Sequence, residues 1–306
     1  MNPWTLSGAG AIGGLLACQL SDAAIPVRLA LRPTKPDAAG ISPPPQRSIE
    51  LVRGETSQTY TFPTLQPEDV ISHLILTTKT WQSREALAAI RAQIANDAVI
   101  LVLQNGMGTA DWLTEQFPEA TLLAGTTTHG AYREAPNRVI HAGKGDIWIG
   151  PLRTQDATVG NQILGEWQQR EMQVSWDEAI IQRLWLKLGI NCAINPLTVL
   201  YDCRNGELLD NAEALETMAL VCEEFTQVYK AHFQREPAEN LFALAKNVAR
   251  QTAANISSMR QDVLKGNPTE IDAINGYLVQ QARCYGVYCP ANEKILTRLS
   301  GATTDR

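Results

Sequence analysis

The sequence of 306 residues has no long apolar run and no dense cluster of basic residues. Because no run of about 18 residues is entirely apolar, we predict no membrane-spanning segment. The net charge of −6, without a run of Lys and Arg, argues against a general nucleic-acid-binding protein. The amino-terminal segment lacks a basic region and is interrupted by glycine, so we do not interpret it as a signal peptide. We expect a cytoplasmic protein that binds neither membranes nor nucleic acids.

The spacings typical of metal ligands are missing as well. The six cysteines include no C-x-x-C pair, and several have apolar neighbours, which indicates reduced, buried thiols. The four histidines are dispersed along the chain, and we therefore predict no metal site. Two of them, His129 and His141, could donate protons by residue type, but their sequence surroundings favour structural roles.

Two parts of the chain differ in their apolar periodicity. In the first part, short apolar runs alternate with helical patterns, which favours a parallel sheet with helices on both faces. The predicted strands are residues 4–7, 27–31, 73–78, 98–103 and 121–126, and the predicted helices are residues 11–22, 82–95 and 109–117. The proline-rich segment 32–47 is interpreted as a surface excursion that replaces a regular helix.

After about residue 178, apolar positions recur every three or four residues and strand patterns disappear. The predicted helices are residues 179–200, 211–233, 238–253 and 268–286. Asn211 is a predicted N-cap, and Pro237 is predicted in a first helical turn. The predicted fold class is therefore α/β, with an N-terminal Rossmann-type dinucleotide-binding domain (1–177) followed by an all-helical C-terminal domain (178–306).

A glycine-rich loop follows the first predicted strand. Its glycines have the spacing G-x-G-x-x-G directly before a helix. In this fingerprint the first glycine permits a tight turn, the second lets the backbone approach a pyrophosphate, and the third allows close helix–strand packing. The phosphates would lie at the amino end of the helix. The candidate cofactor-binding residues of the loop are Gly8, Ala9, Gly10, Ala11, Ile12 and Gly13.

Basic and amide residues follow other predicted strands. NAD-binding proteins usually have Asp or Glu after the second strand, whereas this chain has Arg32 and nearby Lys35, which favours the 2′-phosphate of NADP. A solvated loop cation is the alternative for Arg32. Lys79 and Asn105 follow later strands, at the edge where ligands bind open α/β sheets. An ordinary Asn-Gly turn is the alternative for Asn105.

The segment LWLKLGINCAINPLT (184–198) places Lys187, Asn191 and Asn195 at a strict spacing of four in apolar sequence. On a helix these side chains form one polar stripe. Buried polar groups need partners, so the stripe indicates either an internal hydrogen-bond network or a bound ligand. Because Pro196 disfavours helical geometry in the residue before it, we predict that the helix kinks or ends at Asn195.

Several segments, in this order, resemble one enzyme family. They are GAGAIG, TTKTWQ, QNGMGT, GTTTHGA, LWLKLGINCAINPLT, NGEL, ANISSMRQD and TEIDAINGYL, and they extend from about residue 5 to residue 295. Together they resemble the ketopantoate reductases (2-dehydropantoate 2-reductases). The combination of the lysine–asparagine segment with NISSM and TEIDAING carries most of the specificity.

The resemblance implies NADPH-dependent reduction of 2-dehydropantoate, a small keto acid, to (R)-pantoate in pantothenate biosynthesis. It implies that Lys187 is the general acid. The implied substrate-binding residues are Asn105, Asn191, Asn195, Asn205 and Ser258. The implied cofactor-binding residues outside the glycine loop and Arg32 are Lys79, Asn105, Ala131 and Glu270, of which Glu270 also contacts substrate hydroxyls.

The chain departs from the family pattern at two places. It has Gly130 where the family often has alanine, and segment 32–47 is long.

Glu270 also has an interpretation that needs no ligand. It is predicted in the first turn of a helix, where the helix dipole favours a carboxylate even without a ligand. The alternative functions are an NADP-dependent reductase of another branched 2-keto acid and a non-catalytic dinucleotide-sensing protein. We expect a monomer or a homodimer.

Overall fold

The computed structural model describes residues 2–32 and 44–301 of the chain. The contacts divide the chain into two compact units. The first comprises Met1–Gln104 and Thr109–Ile181, and the second comprises Asn105–Gly108 and Gln182–Arg306. The predicted domain boundary after residue 177 stays a prediction. No described helix is both long enough and apolar enough to cross a membrane.

The first unit contains two sheets and the helices that pack on them. Its strands are β1 (Trp4–Ser7), β2 (Val27–Ala30), β3 (Gln46–Arg53), β4 (Thr56–Pro63), β5 (Ile71–Leu76), β6 (Ile94–Val102), β7 (Thr121–Thr127), β8 (Gly130–Ala135), β9 (Arg138–Gly143), β10 (Ile147–Pro151) and β11 (Ser175–Trp176). Its helices are α1 (Ala11–Asp22), α2 (Ser83–Ile90), α3 (Thr109–Gln116) and α4 (Ala157–Gln168).

The larger sheet has seven strands in the order β11-β10-β7-β6-β5-β1-β2. All neighbouring strands are parallel except β10, which is antiparallel to β7. Successive side chains of a strand point to opposite faces of the sheet. In β6, Leu101 therefore packs with α1 and α4, whereas Ile100 packs with α2 and α3. The predicted α/β class, with a mainly parallel sheet and helices on both faces, is confirmed.

The smaller sheet was not predicted. It has four strands in the order β4-β3-β9-β8. Ile49, Leu51 and Val139 of this sheet share a buried cluster with Leu15 and Leu16 of α1. Part of the predicted surface excursion, residues 46–47, belongs to β3, so this part of the interpretation was wrong. Residues 33–43, which include Lys35, lie outside the described residues.

The described residues of the second unit form helices joined by turns and loops, without a strand. Its helices are α5 (Ile180–Leu200, which begins in the first unit), α6 (Ala212–Phe233), α7 (Leu241–Gln251), α8 (Ser258–Leu264), α9 (Asn275–Tyr285) and α10 (Pro290–Gly301). Short 3-10 turns occupy Gly206–Asp210 and Ile271–Ala273. The prediction of an all-helical C-terminal part is confirmed.

Some helix boundaries were predicted wrongly. The N-cap role of Asn211 is confirmed, because its side chain accepts from Ala214 N at 3.1 Å. In α7, by contrast, the cap is Asn240, and Pro237 precedes the helix. The predicted helix 268–286 is interrupted, since a 3-10 turn precedes α9. The predicted helix 82–95 is too long, because α2 ends at Ile90.

Candidate active site

Helix α5 is the element that carries the polar stripe. It continues to Leu200 with Pro196 inside it, in agreement with the predicted helix 179–200, so the helix does not end at Asn195. The other predicted outcome, a kink at that residue, stays a prediction. Side chains bond two of its carbonyls near the proline. Nδ2 of Asn275 lies 3.4 Å from the Cys192 oxygen, and Oγ1 of Thr198 donates to the Asn195 oxygen at 2.7 Å. These bonds allow the helix to pass through a residue that has no backbone N–H.

Lys187 lies on α5 in an environment that disfavours its charge. Desolvation by the surrounding protein lowers the pKa of its ammonium group from 10.5 to about 8, and the nearby Glu270 carboxylate acts in the opposite direction. Glu270 itself is buried. A lysine with a pKa near the working pH can both stabilise negative charge and release a proton. The site therefore has the electrostatics of a general acid.

Asn191 and Asn195 extend the stripe along the same helix. Both are half-buried, whereas Cys192 and Ala193 between them are fully buried. Among the described residues, neither side-chain amide takes part in a hydrogen bond. This observation opposes the internal-network interpretation of the stripe. Each amide offers a donor and an acceptor that add no charge to the site.

Glu270 lies in a short segment that also contacts the Asn105 turn. It directly precedes the 3-10 turn rather than lying in the first turn of α9, so that prediction was wrong. The carbonyl of Ala273 in this turn accepts from Met107 N at 2.9 Å. Gly106 has φ +76°, and a Cβ there would lie 2.7 Å from the same carbonyl oxygen. The structure therefore brings the turn that begins at Asn105 next to the segment that carries Glu270.

Asn205 and Ser258 lie in loops and helix ends of the second unit. Asn205 is buried, and its Nδ2 donates to Thr252 Oγ1 at 2.9 Å. Its Oδ1 is buried and has no hydrogen-bond partner among the described residues. Ser258 is exposed at the first position of α8. Their predicted roles in substrate binding stay predictions.

Ser257, next to Ser258, has a different environment that the sequence interpretation missed. It is buried and caps α8 by accepting from Arg260 N at 3.1 Å. Its hydroxyl also lies 2.6 Å from Oγ1 of Thr198 on α5. The available signal was its residue type, since serine is a preferred N-cap, but no helix was predicted after it. Ser257 therefore joins α8 to α5, and the hydroxyl of Ser258 is left on the surface.

The glycine loop lies between β1 and α1 in the first unit. Gly10 is the residue before α1, and no side chain caps the first turn of this helix. A Cβ on Gly13 would lie 2.3 Å from the Gly8 oxygen and 2.4 Å from Thr77 Oγ1, so only glycine fits there. The helix thus starts close to the sheet with uncapped N–H groups, an arrangement that suits a pyrophosphate.

Other predicted cofactor-binding residues follow neighbouring strands of the same sheet. β1 pairs with both β2 and β5. The glycine loop follows β1, Arg32 follows β2 and is exposed, and Lys79 follows β5 and is half-buried. Parallel strands end at one edge, so these three positions share the carboxyl edge of the sheet. Ala131 lies separately on β8, where it packs against the core of this unit.

His129 and His141 contact each other in the first unit. Nδ1 of His129 lies 3.0 Å from Nε2 of His141 and accepts from Gly145 N at 3.0 Å. Burial lowers the pKa of both imidazoles. These contacts support structural roles for the pair. No group of three or more His, Cys, Asp or Glu side chains suited to a metal occurs in the described part of the chain.

The geometry defines a class of protein: a Rossmann-type unit with a glycine-rich loop, together with a helical unit that carries a lysine–asparagine stripe. Two family descriptions match the chain. "Ketopantoate reductase PanE/ApbA" matches residues 4–154, and "Ketopantoate reductase PanE/ApbA C terminal" matches residues 179–302. The chain belongs to the ketopantoate reductase PanE/ApbA family.

Individual relatives agree with this assignment. The chain is 33% identical to a 2-dehydropantoate 2-reductase of Vibrio cholerae over 296 residues, which cover 95% of each chain. It is 35% identical to that of Shigella flexneri over 295 residues, with 95% of this chain and 92% of the relative covered.

Solved structures share the fold over nearly the whole length. A PanE/ApbA family ketopantoate reductase from Ralstonia eutropha JMP134 has a TM-score of 0.84 at 23% identity, with 99% of this chain and 98% of that chain covered. D-mandelate dehydrogenase in a ternary structure with NADH and anilino(oxo)acetate has a TM-score of 0.86 at 23% identity, with 99% of both chains covered. These two similarities establish the fold alone.

Proposed function

We propose that this protein reduces 2-dehydropantoate to (R)-pantoate with NADPH. Its curated relatives, which match nearly the whole chain, support the reaction. The structural observation that carries the proposal is Lys187. Its ammonium group has a pKa of about 8. It lies on the same helix as the side-chain amides of Asn191 and Asn195, which form no hydrogen bond with any described residue. A half-buried, desolvated cation next to two neutral amides suits a substrate with a ketone, a carboxylate and a hydroxyl group.

The residues of the first unit fit the proposed cofactor. The uncapped start of α1 suits the pyrophosphate, and a glycine is required at position 13 for the helix to lie so close to the loop. Arg32 is the proposed partner of the 2′-phosphate, because its guanidinium can bind a phosphate through two parallel hydrogen bonds. Lys79 and Ala131 of this unit, and Asn105 of the second unit, are proposed as further contacts. When bound, NADPH supplies the hydride that reduces the ketone carbon.

The residues of the second unit provide the proton and hold the substrate. As the ketone carbon is reduced, negative charge develops on its oxygen, and the ammonium of Lys187 stabilises this charge and then transfers a proton to the oxygen. Glu270 keeps Lys187 protonated before the reaction and contacts the ligand hydroxyls. The amides of Asn191 and Asn195, with Asn105, Asn205 and Ser258, bind the substrate. Such positioning contributes on the order of several kcal/mol to the barrier reduction.

Initial rates of NADPH oxidation test the proposal. We expect turnover with ketopantoate, a higher kcat/KM than with other branched 2-keto acids, and a lower kcat/KM with NADH. A higher kcat/KM with another keto acid would overturn the substrate assignment in favour of a related reductase. NADPH binding without turnover of any keto acid would indicate a dinucleotide-sensing protein instead.

We further propose that the protein acts in the cytoplasm as a monomer or a homodimer, without nucleic acid. The acidic net charge of −6 supports the last point. Light scattering coupled to size-exclusion chromatography would measure the oligomeric state. A larger assembly, or retention on a nucleic-acid column at physiological salt, would contradict the proposal.

A further inference from the structure

Helix α5 has an internal proline next to the residues proposed to bind substrate. Pro196 has no backbone N–H, so the carbonyl of Cys192, four residues earlier, cannot accept the regular helical hydrogen bond from residue 196. Nδ2 of Asn275 lies 3.4 Å from that carbonyl oxygen, and Asn275 is completely buried. Cys192 lies between Asn191 and Asn195. A shift of this carbonyl would therefore also shift the two amides proposed to hold the substrate.

The orientation of the Asn275 amide is determined by a carboxylate. Glu224 accepts from Ala291 N at 2.7 Å, from Asn292 N at 3.0 Å and from Asn292 Nδ2 at 2.7 Å. With its Nδ2 on the carboxylate, Asn292 presents Oδ1 to Asn275 and accepts from Nδ2 of Asn275 at 2.9 Å. The reversed orientation of Asn292 would place oxygen against oxygen at Glu224. Nδ2 of Asn275 therefore keeps its second proton for the Cys192 carbonyl.

We propose that Asn275 is a positioning residue for the reductase site. Its side-chain amide supplies the hydrogen bond that Pro196 removes, and thereby fixes the turn of α5 that presents the two substrate-binding asparagines. This inference rests on the proposed function.

The surrounding segment supports the same conclusion. Residues 270–275 also include Glu270, which acts electrostatically on Lys187, and Ala273, which accepts from Met107 N. This segment is thus connected to α5 at two places and to the turn that follows Asn105 at a third. Asn275 ends the segment at a fully buried position, where it cannot bind substrate itself.

A double-mutant comparison tests the proposal. Asn275→Leu removes the amide donor, whereas Pro196→Ala gives residue 196 an N–H that can bond the Cys192 carbonyl within the helix. We expect Asn275→Leu to raise the KM for ketopantoate about tenfold and to leave the Kd of NADPH nearly unchanged. In the Pro196→Ala background, the same substitution should raise KM by only about twofold. An equal increase in both backgrounds, or none in the wild-type background, would overturn the proposal.

A cap variant separates positioning from general destabilisation. Asn240 caps α7 in the same unit by accepting from Ala243 N at 2.9 Å. Asn240→Ala should lower the urea midpoint without changing the KM for ketopantoate. If it raised KM as much as Asn275→Leu does, the effect at Asn275 would be general destabilisation and the inference would fail.

Urea unfolding tests the proposal where kinetics cannot, that is, if a variant does not fold or if the wild-type protein is inactive. If Asn275→Leu does not fold alone, recovery of folded protein in the Pro196→Ala background supports the proposal, and no recovery overturns it. If the wild-type protein does not reduce ketopantoate, the proposed function fails by itself. The positioning inference is then decided by the urea midpoints of the four proteins, where non-additive effects support it and additive effects overturn it.

Discussion

Two sets of polar side chains in the helical unit differ in how their hydrogen bonds are satisfied. Glu224, Asn275 and Asn292 form a buried chain whose members bond one another or the backbone. Asn191 and Asn195, on the stripe of α5, have amides that no described side chain or backbone group bonds. Both sets consist of polar residues in helices, so residue type does not distinguish them.

This difference distinguishes polar residues that stabilise the fold from polar residues that are available to bind a ligand. Burying a polar group without a partner is unfavourable, so a polar residue in a core is retained when the protein or a ligand bonds it. In the buried chain the protein supplies nearly all partners. For Asn191 and Asn195 on the stripe, the protein supplies no partner among the described residues, and we propose that the substrate supplies it. Substitutions of Glu224 and Asn292 should therefore affect stability first, and substitutions in the second set should affect activity first. Asn275 belongs to the buried chain but also supports the stripe, so its substitution should affect both.

The largest expected effect is at the lysine of the stripe. Lys187→Ala should lower kcat by about 100-fold or more, because a general acid contributes at least that factor. Steady-state rates with saturating NADPH and ketopantoate measure it. Lys230→Ala is the matched control, since this lysine is exposed on α6 and pairs with Glu236. A Lys187→Ala variant with nearly normal turnover would remove the assigned role.

The buried chain should show the opposite response. Glu224→Ala leaves two backbone N–H groups and one amide without their acceptor, so the free energy of unfolding should fall by about 3 kcal/mol or more. Urea unfolding measures this loss. Glu223, the exposed neighbour on the same helix, provides the control, and Glu223→Ala should change stability little. Equal stability losses for the two variants would contradict the structural role of the buried chain.

The pH dependence tests the charge state of the stripe. The free enzyme needs Lys187 protonated, and its pKa is about 8, so kcat/KM should fall about tenfold per pH unit well above pH 8. Because the Glu270 carboxylate raises this pKa, Glu270→Gln should move the decline to lower pH. A profile that stays flat to pH 10, or that is unchanged in Glu270→Gln, would exclude this assignment.

The smallest expected effects come from two adjacent serines with different partners. Ser257→Ala removes the cap of α8 and should cost about 1 kcal/mol of stability, with little change in KM. Ser258→Ala should raise the KM for ketopantoate a few-fold, the approximate value of one hydrogen bond, with nearly normal NADPH affinity and stability. Thermal unfolding and steady-state kinetics measure both variants. A reversal of the two responses would assign substrate binding to Ser257 instead.

The sequence predicted those parts of the fold that have a strong apolar pattern. Strands β1 and β6 were predicted from continuous apolar runs. The long helices α5 and α6 were predicted because apolar residues recur every three or four positions. The small sheet was missed because β4 is mostly exposed and polar, with only Tyr60 and Phe62 buried. β4 is stabilised by pairing with β3, which itself pairs with the distant strand β9, and a local apolar pattern does not show such pairing.

The polar stripe could be predicted from the sequence, but the hydrogen bond from Asn275 that supports its helix could not. The spacing of Lys187, Asn191 and Asn195 predicted one face of a helix, and α5 has that face. Of the two predicted outcomes at Asn195, a kink or an end, the end does not occur, because Asn275, which lies far away in the sequence, replaces the missing backbone donor. The local rule for a residue before proline takes no account of a donor from another helix. The ligand-binding roles of the stripe stay predictions.

The turn Asn105–Gly108 has a consequence for chimaeric proteins. In the chain this turn lies between β6 and β7, two strands of the first unit. It nevertheless belongs to the helical unit, where Gly106 packs against Ala273. A hybrid that joins the amino-terminal part of one relative to the carboxyl-terminal part of another would combine a turn and a partner from different parents. We expect such hybrids to work best when the tetrapeptide comes from the same parent as the helices.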